Sequence, residues 1–550
     1  MTRRGLILTI SLISVAVVLA LFQSCGYVLP PRDGSDEISS RGAGNGEAYT
    51  GIHLDYPMLM SPGQKVTIVA SNGEGPYTFS VESGPAVIEA IYNDRIVIRA
   101  NNSSVQDQEV VVSVTDQVKA RASASILIVE FTSRDFRSID GPRFGQVMKR
   151  LGDEVYINST TVDEFSGRVH LLKREDDLWD NYRTIVSPVI EPFSSMHRYN
   201  DFSHSYDSHG EWLIVGNPRQ DIWGRTDGEG ARTTEDSGEA IIYKRNSVSG
   251  QWAYRQRVFA PHMTVYNGMR FSTSVQINDR WAAVSSVPAN EDVSKDQVSR
   301  VYLFLRQGEV WTLYQILSSK NEHTEFGQNL QFVGDDLVVK AKRRTPKGQV
   351  APADTIDLLL YRFNSALNIF ELKNSYNSGL QADSGFADQM TQAGGQVFVS
   401  CGGCPVSELL GNDELAGFSA TTLRAGGYFG FKFTASGIEL NSAVGGDVQA
   451  LGESNSAFGY RMSAQGDLLA VSAPCLGYTQ ETCEGTVFIY RLLPDGSRKE
   501  LVSIQLPNAG PNERFGENLV LFGETLFVKT RDTARLFIVD LKPVLRSSAR

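Results

Sequence analysis

The chain has 550 residues, 41% hydrophobic and 21% charged, with 27 Phe, 20 Tyr and 6 Trp, which is enough apolar side chain for packed cores and excludes a disordered chain. Its formal charge of -11 and lack of an extended basic run argue against a nucleic-acid partner, because phosphate binding needs a concentrated positive surface. Five Cys and seven His are too few for a disulfide scaffold or a multi-metal protein, whereas 50 Gly and 20 Pro favour short strands joined by turns.

Residues 1–24 begin with Arg3 and Arg4, continue through an apolar stretch from Leu6 to Phe22, and end before Cys25-Gly26. This is the pattern of a bacterial export signal. Gln23-Ser24-Cys25 resembles the lipobox at which a lipoprotein is cut and its cysteine acylated, which implies lipid modification of Cys25. Phe22 and Gln23 depart from the usual lipobox residues, and an uncleaved anchor of roughly 17 residues is the competing reading. Residues 25–48 are rich in Gly, Ser and Pro and read as a tether spanning roughly 25 Å.

From 49 to 125, strand runs alternate with turns: Lys65–Ala70, Tyr77–Glu82, Ala90–Ala100, Glu109–Thr115 and Ala124 onward. Their spacing predicts a small β-sandwich. The segment Gly75-Pro76-Tyr77-Thr78-Phe79-Ser80-Val81 resembles a strand of bacterial immunoglobulin-like modules. A spacer that lifts the next domain from the membrane is the expected role.

After residue 140 an internal repeat dominates. Phe followed by Gly, Ser or Ala recurs at Phe144, Phe202, Phe271, Phe326, Phe386, Phe458 and Phe515. About eight residues after each comes a tight turn (Gly152-Asp153, His209-Gly210, Asn278-Asp279, Gly334-Asp335, Gly394-Gly395, Gly466-Asp467, Gly523-Glu524), then an apolar run such as Trp281–Val284. That run often ends in a small-small-Pro element, as at Gly216-Asn217-Pro218 and Ser286-Val287-Pro288. A variable loop, a strand such as Val487–Tyr490 and often a Trp follow, so each unit holds four strands. Seven such units predict an all-β chain: a seven-bladed β-propeller over 126–545, preceded by the sandwich. The grammar resembles the FG-GAP repeat of the integrin α-subunit head and of bacterial surface proteins over about 131–541. The seventh unit has three strands of its own, and Ile126–Ile139 is expected to supply the fourth and so remove an open edge.

FG-GAP proteins often hold calcium in an acidic loop between the first two strands, but here that connection is a short turn carrying Asp153, Asp335 or Asp467. Such turns cannot supply six to eight oxygens, so no cofactor and no metal are expected. The longest insertions fall between second and third strands and therefore share one face. In the second unit that insertion carries Asp221, Trp223, Arg225, Asp227 and Glu229, residue types suited to glycan or protein contact and equally to a solvated loop. Cys401-Gly402-Gly403-Cys404 lacks the His of a haem motif, and in an oxidising envelope Cys401, Cys404, Cys475 and Cys483 are expected to form two structural disulfides, with cross-blade pairing left open.

His197, His204 and His209 with Asp201 and Asp207 are the one His/Asp cluster, but strand alternation spreads them over two faces. No GxSxG, HExxH or P-loop occurs, so no catalytic residue is assigned. The expected protein is a monomeric, lipid-anchored envelope protein of the outer membrane that binds a protein or glycan. An envelope scaffold and a glycan-processing enzyme are the alternatives.

Overall fold

The computed structural model describes residues 52–547 except 57–58, 61–62, 64, 72, 74, 102–107, 129–132, 135–143, 161–166, 176–177, 189–200, 221, 227–230, 235, 262–264, 320–321, 345–354, 382–383, 405–425, 446–455, 476–482, 495–496, 507–512 and 532–534. The described residues form an all-β, almost wholly antiparallel structure, with a 3-10 turn at Val293–Lys295 and a helix at Lys542–Ser547. Cys25 and the export signal lie outside the described residues, as do Asp221, Asp227 and Glu229. Among the described residues no helix is long and apolar enough to cross a membrane.

The first unit has two four-stranded sheets that enclose one core, in which Val66, Ile68, Ile96 and Ile98 meet Val110, Val112, Ala124 and Ile126. Two sequence expectations need correction here. The run Ala90–Ala100 is not one strand but the end of a hairpin, Ala86–Ile91 and Arg95–Ala100, turning at Asn93-Asp94. Ile126 and Ile128 are not part of a closing strand. They belong to Arg121–Ile128 and are fully buried in the core of the first unit, so the boundary at 125/126 falls too early.

Seven further sheets follow, one for each repeat, with first strands Phe144–Leu151, Ser205–His209, Phe271–Ile277, Leu330–Val333, Met390–Ala393, Met462–Gln465 and Asn518–Phe522. The turns after the second and third of these are Gly210-Glu211 and Asp279-Arg280, each one residue later than expected. The seventh sheet takes its fourth strand from Ser133–Arg134, which pairs with Leu536–Phe537. The segment after Leu541 is helical and pairs with no strand.

The recurring Phe has a conformational reason. All seven are at most 3% exposed, and the residue after each has a left-handed backbone: Gly145 (φ 69°), Ser203 (73°), Ser272 (75°), Gly327 (91°), Ala387 (59°), Gly459 (76°) and Gly516 (95°). Only small side chains occupy that corner. Its N–H turns back onto the second strand of its own sheet, from Gly327 to the Lys340 carbonyl, Ala387 to Ser400, and Gly459 to Ser472, each at 2.9 Å.

Neighbouring sheets share cores rather than ladders. Seven apolar clusters each join two consecutive sheets, and the last joins the seventh to the first through Val520, Phe527 and Ile538 against Phe144, Val155 and Ile157. Side chains add cross-links: Asn158 Nδ2 donates to the Ser203 carbonyl (3.0 Å), Asn329 Nδ2 to that of Ala387 (3.1 Å), and Asn518 Nδ2 to those of Gly145 and Gln146.

A Cβ at Gly459 would lie 1.9 Å from the Gly427 carbonyl oxygen at a φ of +76°, whereas one at Gly466 (φ +60°) would meet nothing within 4 Å. Gly459→Ala should therefore cost about 2–4 kcal/mol and Gly466→Ala only about 1 kcal/mol. Urea unfolding midpoints at unchanged slope measure both, and equal losses would refute the packing role of the corner.

Candidate functional site

The corners that order the sheets also bring polar side chains together. A cavity of about 340 Å3 opens where the second, third and fourth sheets meet. Its walls use equivalent repeat positions. Asp201, Arg270 and Glu325 each precede the recurring Phe of their unit, and His204, Thr273 and Gln328 each lie two residues after it. Pro218-Arg219 and Val287-Pro288-Ala289, at and beyond the ends of two second strands, complete the lining. The small-small-Pro elements thus add apolar surface to a largely polar lining.

The charges of this cup are unevenly satisfied. Arg219 Nε lies 3.2 Å from Asp201 Oδ2, and His204 Nδ1 lies 3.9 Å from the same oxygen. Crowding by the cup walls, aided by the charges of Arg219 and Arg270, lowers the His204 pKa against the opposing pull of Asp201. His204 is therefore a neutral hydrogen-bonding group at neutral pH. Glu325 Oε1 sits 3.8 Å from Lys342 Nζ, while its backbone N–H donates to Glu291 (2.8 Å), which also pairs with Arg344. Among the described residues, the Arg270 guanidinium has neither a hydrogen-bond nor an ion-pair partner, and its Nε is buried.

Beside the cup is a network that sequence reasoning missed. Asp357 is fully buried and accepts from His323 Nε2 (2.8 Å), from Arg343 Nη2 (2.6 Å) and, on its other oxygen, from Asn377 Nδ2 (2.6 Å). The other ring nitrogen of His323, Nδ1, lies 2.8 Å from the Ser319 hydroxyl. The order Ser–His–Asp resembles a nucleophile relay, but Arg343 shares the carboxylate oxygen that orients the imidazole and neutralises its charge. What the arrangement does is clamp His323–Thr324 against Lys342–Arg343 at the rim of the fourth sheet. No spacing links His323 to Asp357 in the sequence, because the variable connection between second and third strands separates them.

The structure distributes the expected site residues as follows. Trp223 and Arg225 lie on Ile222–Thr226, which pairs with Ala231–Thr234, so the insertion in the second unit is a β-hairpin and not an open loop. Cys401 is joined to Cys404 and Cys475 to Cys483, each pair closing its own loop base. His204 and Asp201 line the cup, whereas Asp207 accepts from the Ile277 N–H (3.0 Å) and His209 faces Asp279 (3.3 Å) at the third sheet. His197 lies outside the described residues. Among the described residues no group of three or more His, Cys, Asp or Glu side chains is placed to hold a metal ion.

No protein-family model matches the chain, and no curated protein matches its sequence. Solved structures with similarity include a Bacteroides uniformis protein provisionally assigned as a 6-phosphogluconolactonase, at 12% identity and a TM-score of 0.38 over 68% of this chain and 89% of that one. Another is the periplasmic gluconolactonase PpgL of Pseudomonas aeruginosa, at 12% identity and a TM-score of 0.36 over 70% of this chain and 99% of that one. Saccharomyces cerevisiae Sqt1 matches at 10% identity and a TM-score of 0.36, over 75% and 85% of the two chains. At these values the likenesses carry no argument about chemistry.

Burial raises the Asp357 pKa, but the hydrogen bonds from His323 and Arg343 outweigh it, so the group titrates below the ordinary aspartate range. Its contribution to stability is complete above about pH 4 and is lost as the pH falls through the depressed folded value. Asp357→Ala should cost about 2–3 kcal/mol, toward the low side for a buried pair because Arg343 is half-exposed and can turn to water. Chemical unfolding from pH 3 to pH 7 tests this: the gap to wild type should narrow only below about pH 4.

Proposed function

We propose that the chain is an exported envelope protein, acylated at Cys25, whose seven sheets close as the blades of a β-propeller on an immunoglobulin-like spacer. The cup on its looped rim binds a protein or glycan ligand without catalysis. The observation that carries this reading is the cup itself. Three consecutive sheets contribute side chains from equivalent repeat positions, and the cavity they line combines apolar surface with convergent hydrogen-bonding groups. The lining sits on the corners and turns that flank the strands, with Thr273 on the first strand of the third sheet.

Return of the seventh sheet to the first, through their shared core and the bonds of Asn518, supports a closed propeller. Closure also accounts for strand Ser133–Arg134, which leaves no open edge on the seventh sheet. The alternative of a glycan-processing enzyme would draw on Asp201 and Glu325 as its paired acids. Asp201 is already tied to Arg219 and Glu325 lies against Lys342, an arrangement that favours binding over proton transfer.

Two measurements test the reading. Cys25→Ser should abolish incorporation of labelled fatty acid, and unchanged labelling would overturn the anchor. The purified protein, screened against envelope proteins and glycans, should lose its captured ligand at least tenfold in the His204→Ala, Gln328→Ala double variant. An unchanged melting temperature in that variant would locate the loss in the cup, and full retention of binding would refute the site.

A further inference from the structure

We infer that the cup selects a carboxylate-bearing sugar and that Arg270 is the residue that reads the carboxylate. This rests on the reading of the cup as a ligand site and deepens it by naming the ligand class.

The argument begins with charge pairing. Two arginines line the cup, and one of them, Arg219, is matched with Asp201 (3.2 Å). Arg270 lines the same cavity and has no partner among the described residues, with its Nε out of contact with solvent. A guanidinium offers five donors in a rigid fork and does not lose its charge, so leaving it unmatched in a partly buried place is costly. A carboxylate satisfies that fork with two parallel hydrogen bonds.

The fold does not require arginine at this position. The equivalent corner residues are Asp201, Glu325, Gly385, Ala457 and Arg514, and all but Asp201 share the left-handed backbone of Arg270 (φ 52°). The N–H of Arg270 donates to Asp236 (2.9 Å), and its carbonyl accepts from the Thr273 hydroxyl (2.7 Å), contacts that hold the backbone whatever the side chain. Arg514 carries a guanidinium with a buried Nε at its own corner, and what sets Arg270 apart is that its side chain lines the cavity.

The remaining lining selects among carboxylates. Gln328 has an exposed side-chain amide with no partner among the described residues, and His204 and Asp201 add donor and acceptor groups. Pro218, Val287 and Pro288 add carbon to the same lining. A sugar ring likewise combines hydroxyl edges with an apolar face, whereas an acidic peptide side chain would leave the polar groups around it unmatched. A volume of about 340 Å3 holds one ring of this kind, so a single uronic-acid residue of a glycan is the fitting occupant.

The test is titration calorimetry of the full-length protein in detergent with glucuronate, glucose and a glutamate-rich peptide, each with wild type, Arg270→Gln, Arg270→Lys and Gln328→Ala. Glucuronate should bind at least tenfold more tightly than glucose. Arg270→Gln should erase that preference while leaving the melting temperature in place, and Arg270→Lys should restore only part of it because an ammonium lacks the fork. Equal binding of the two sugars, weakened by Gln328→Ala, would overturn the inference and leave the cup as a ligand site. Preference for the peptide would overturn the sugar class. Failure of both sugars to bind would overturn the inference, and if the broader screen of envelope ligands also failed, the binding role would fall with it.

Discussion

The contact on which the sheets depend is a carbonyl lying against a glycine. A Cβ added at Gly167, Gly238, Gly426 or Gly485, each just before the third strand of its sheet, would come within 1.9 to 2.3 Å of the carbonyl oxygen of Phe202, Phe271, Phe458 or Phe515 in the next sheet. The Phe271 and Phe515 N–H groups donate to the residues before those glycines, Ser237 (2.9 Å) and Glu484 (2.8 Å). Each Phe therefore sends its ring into a core and its backbone against the sheet before it. Burying such a ring is worth roughly 2–3 kcal/mol, so seven of them form a large part of what holds separate ladders together. The left-handed residue that follows turns the chain sharply into the first strand, and a bulky side chain there would prevent the approach.

Because that contact fixes the third strands of four sheets against the first-strand corners of the next at one rim, it also fixes where variation is tolerated. The long connections all leave from this rim, and so do the corner positions one before and two after each Phe. Residue type at those positions is free to change as long as the corner survives: Asp201, Arg270 and Glu325 occupy equivalent sites with opposite charges. The demands of the fold and the lining of the cavity are thus divided at the level of single residues. The Phe and its small neighbour serve the fold, and the residues around them serve the cavity.

This division explains what the sequence makes legible. The seven Phe-small pairs, the tight turns and the apolar second strands are read directly because the fold constrains their type and spacing. The partner glycines are not, since loops of different length place Gly238 and Gly485 at different distances from the preceding Phe. The hairpin at Ala86–Arg95 is hidden because its turn, Asn93-Asp94, interrupts an apolar alternation that otherwise looks continuous. Ile126 and Ile128 mislead for the opposite reason, extending the apolar pattern toward Ser133–Arg134 although they pack in the first unit. The cup is invisible in sequence because its lining is drawn from positions whose only common property is their place in the repeat. The Ser319–His323–Asp357 network is hidden likewise, joined across a variable connection.

The closing strand has a further mechanical consequence. Ser133–Arg134 follows Arg121–Ile128 after only four residues, so the last strand of the first unit leads almost directly into the ladder that completes the seventh sheet. Leu59–Met60 of the first unit also lies against Arg498–Gln505 of the sixth sheet, and Leu541 and Val544 at the C-terminus pack into the core shared by the sixth and seventh. Two attachments at different points resist rotation where a single linker would not. The first unit and the seven sheets are therefore joined at more than one point along the chain.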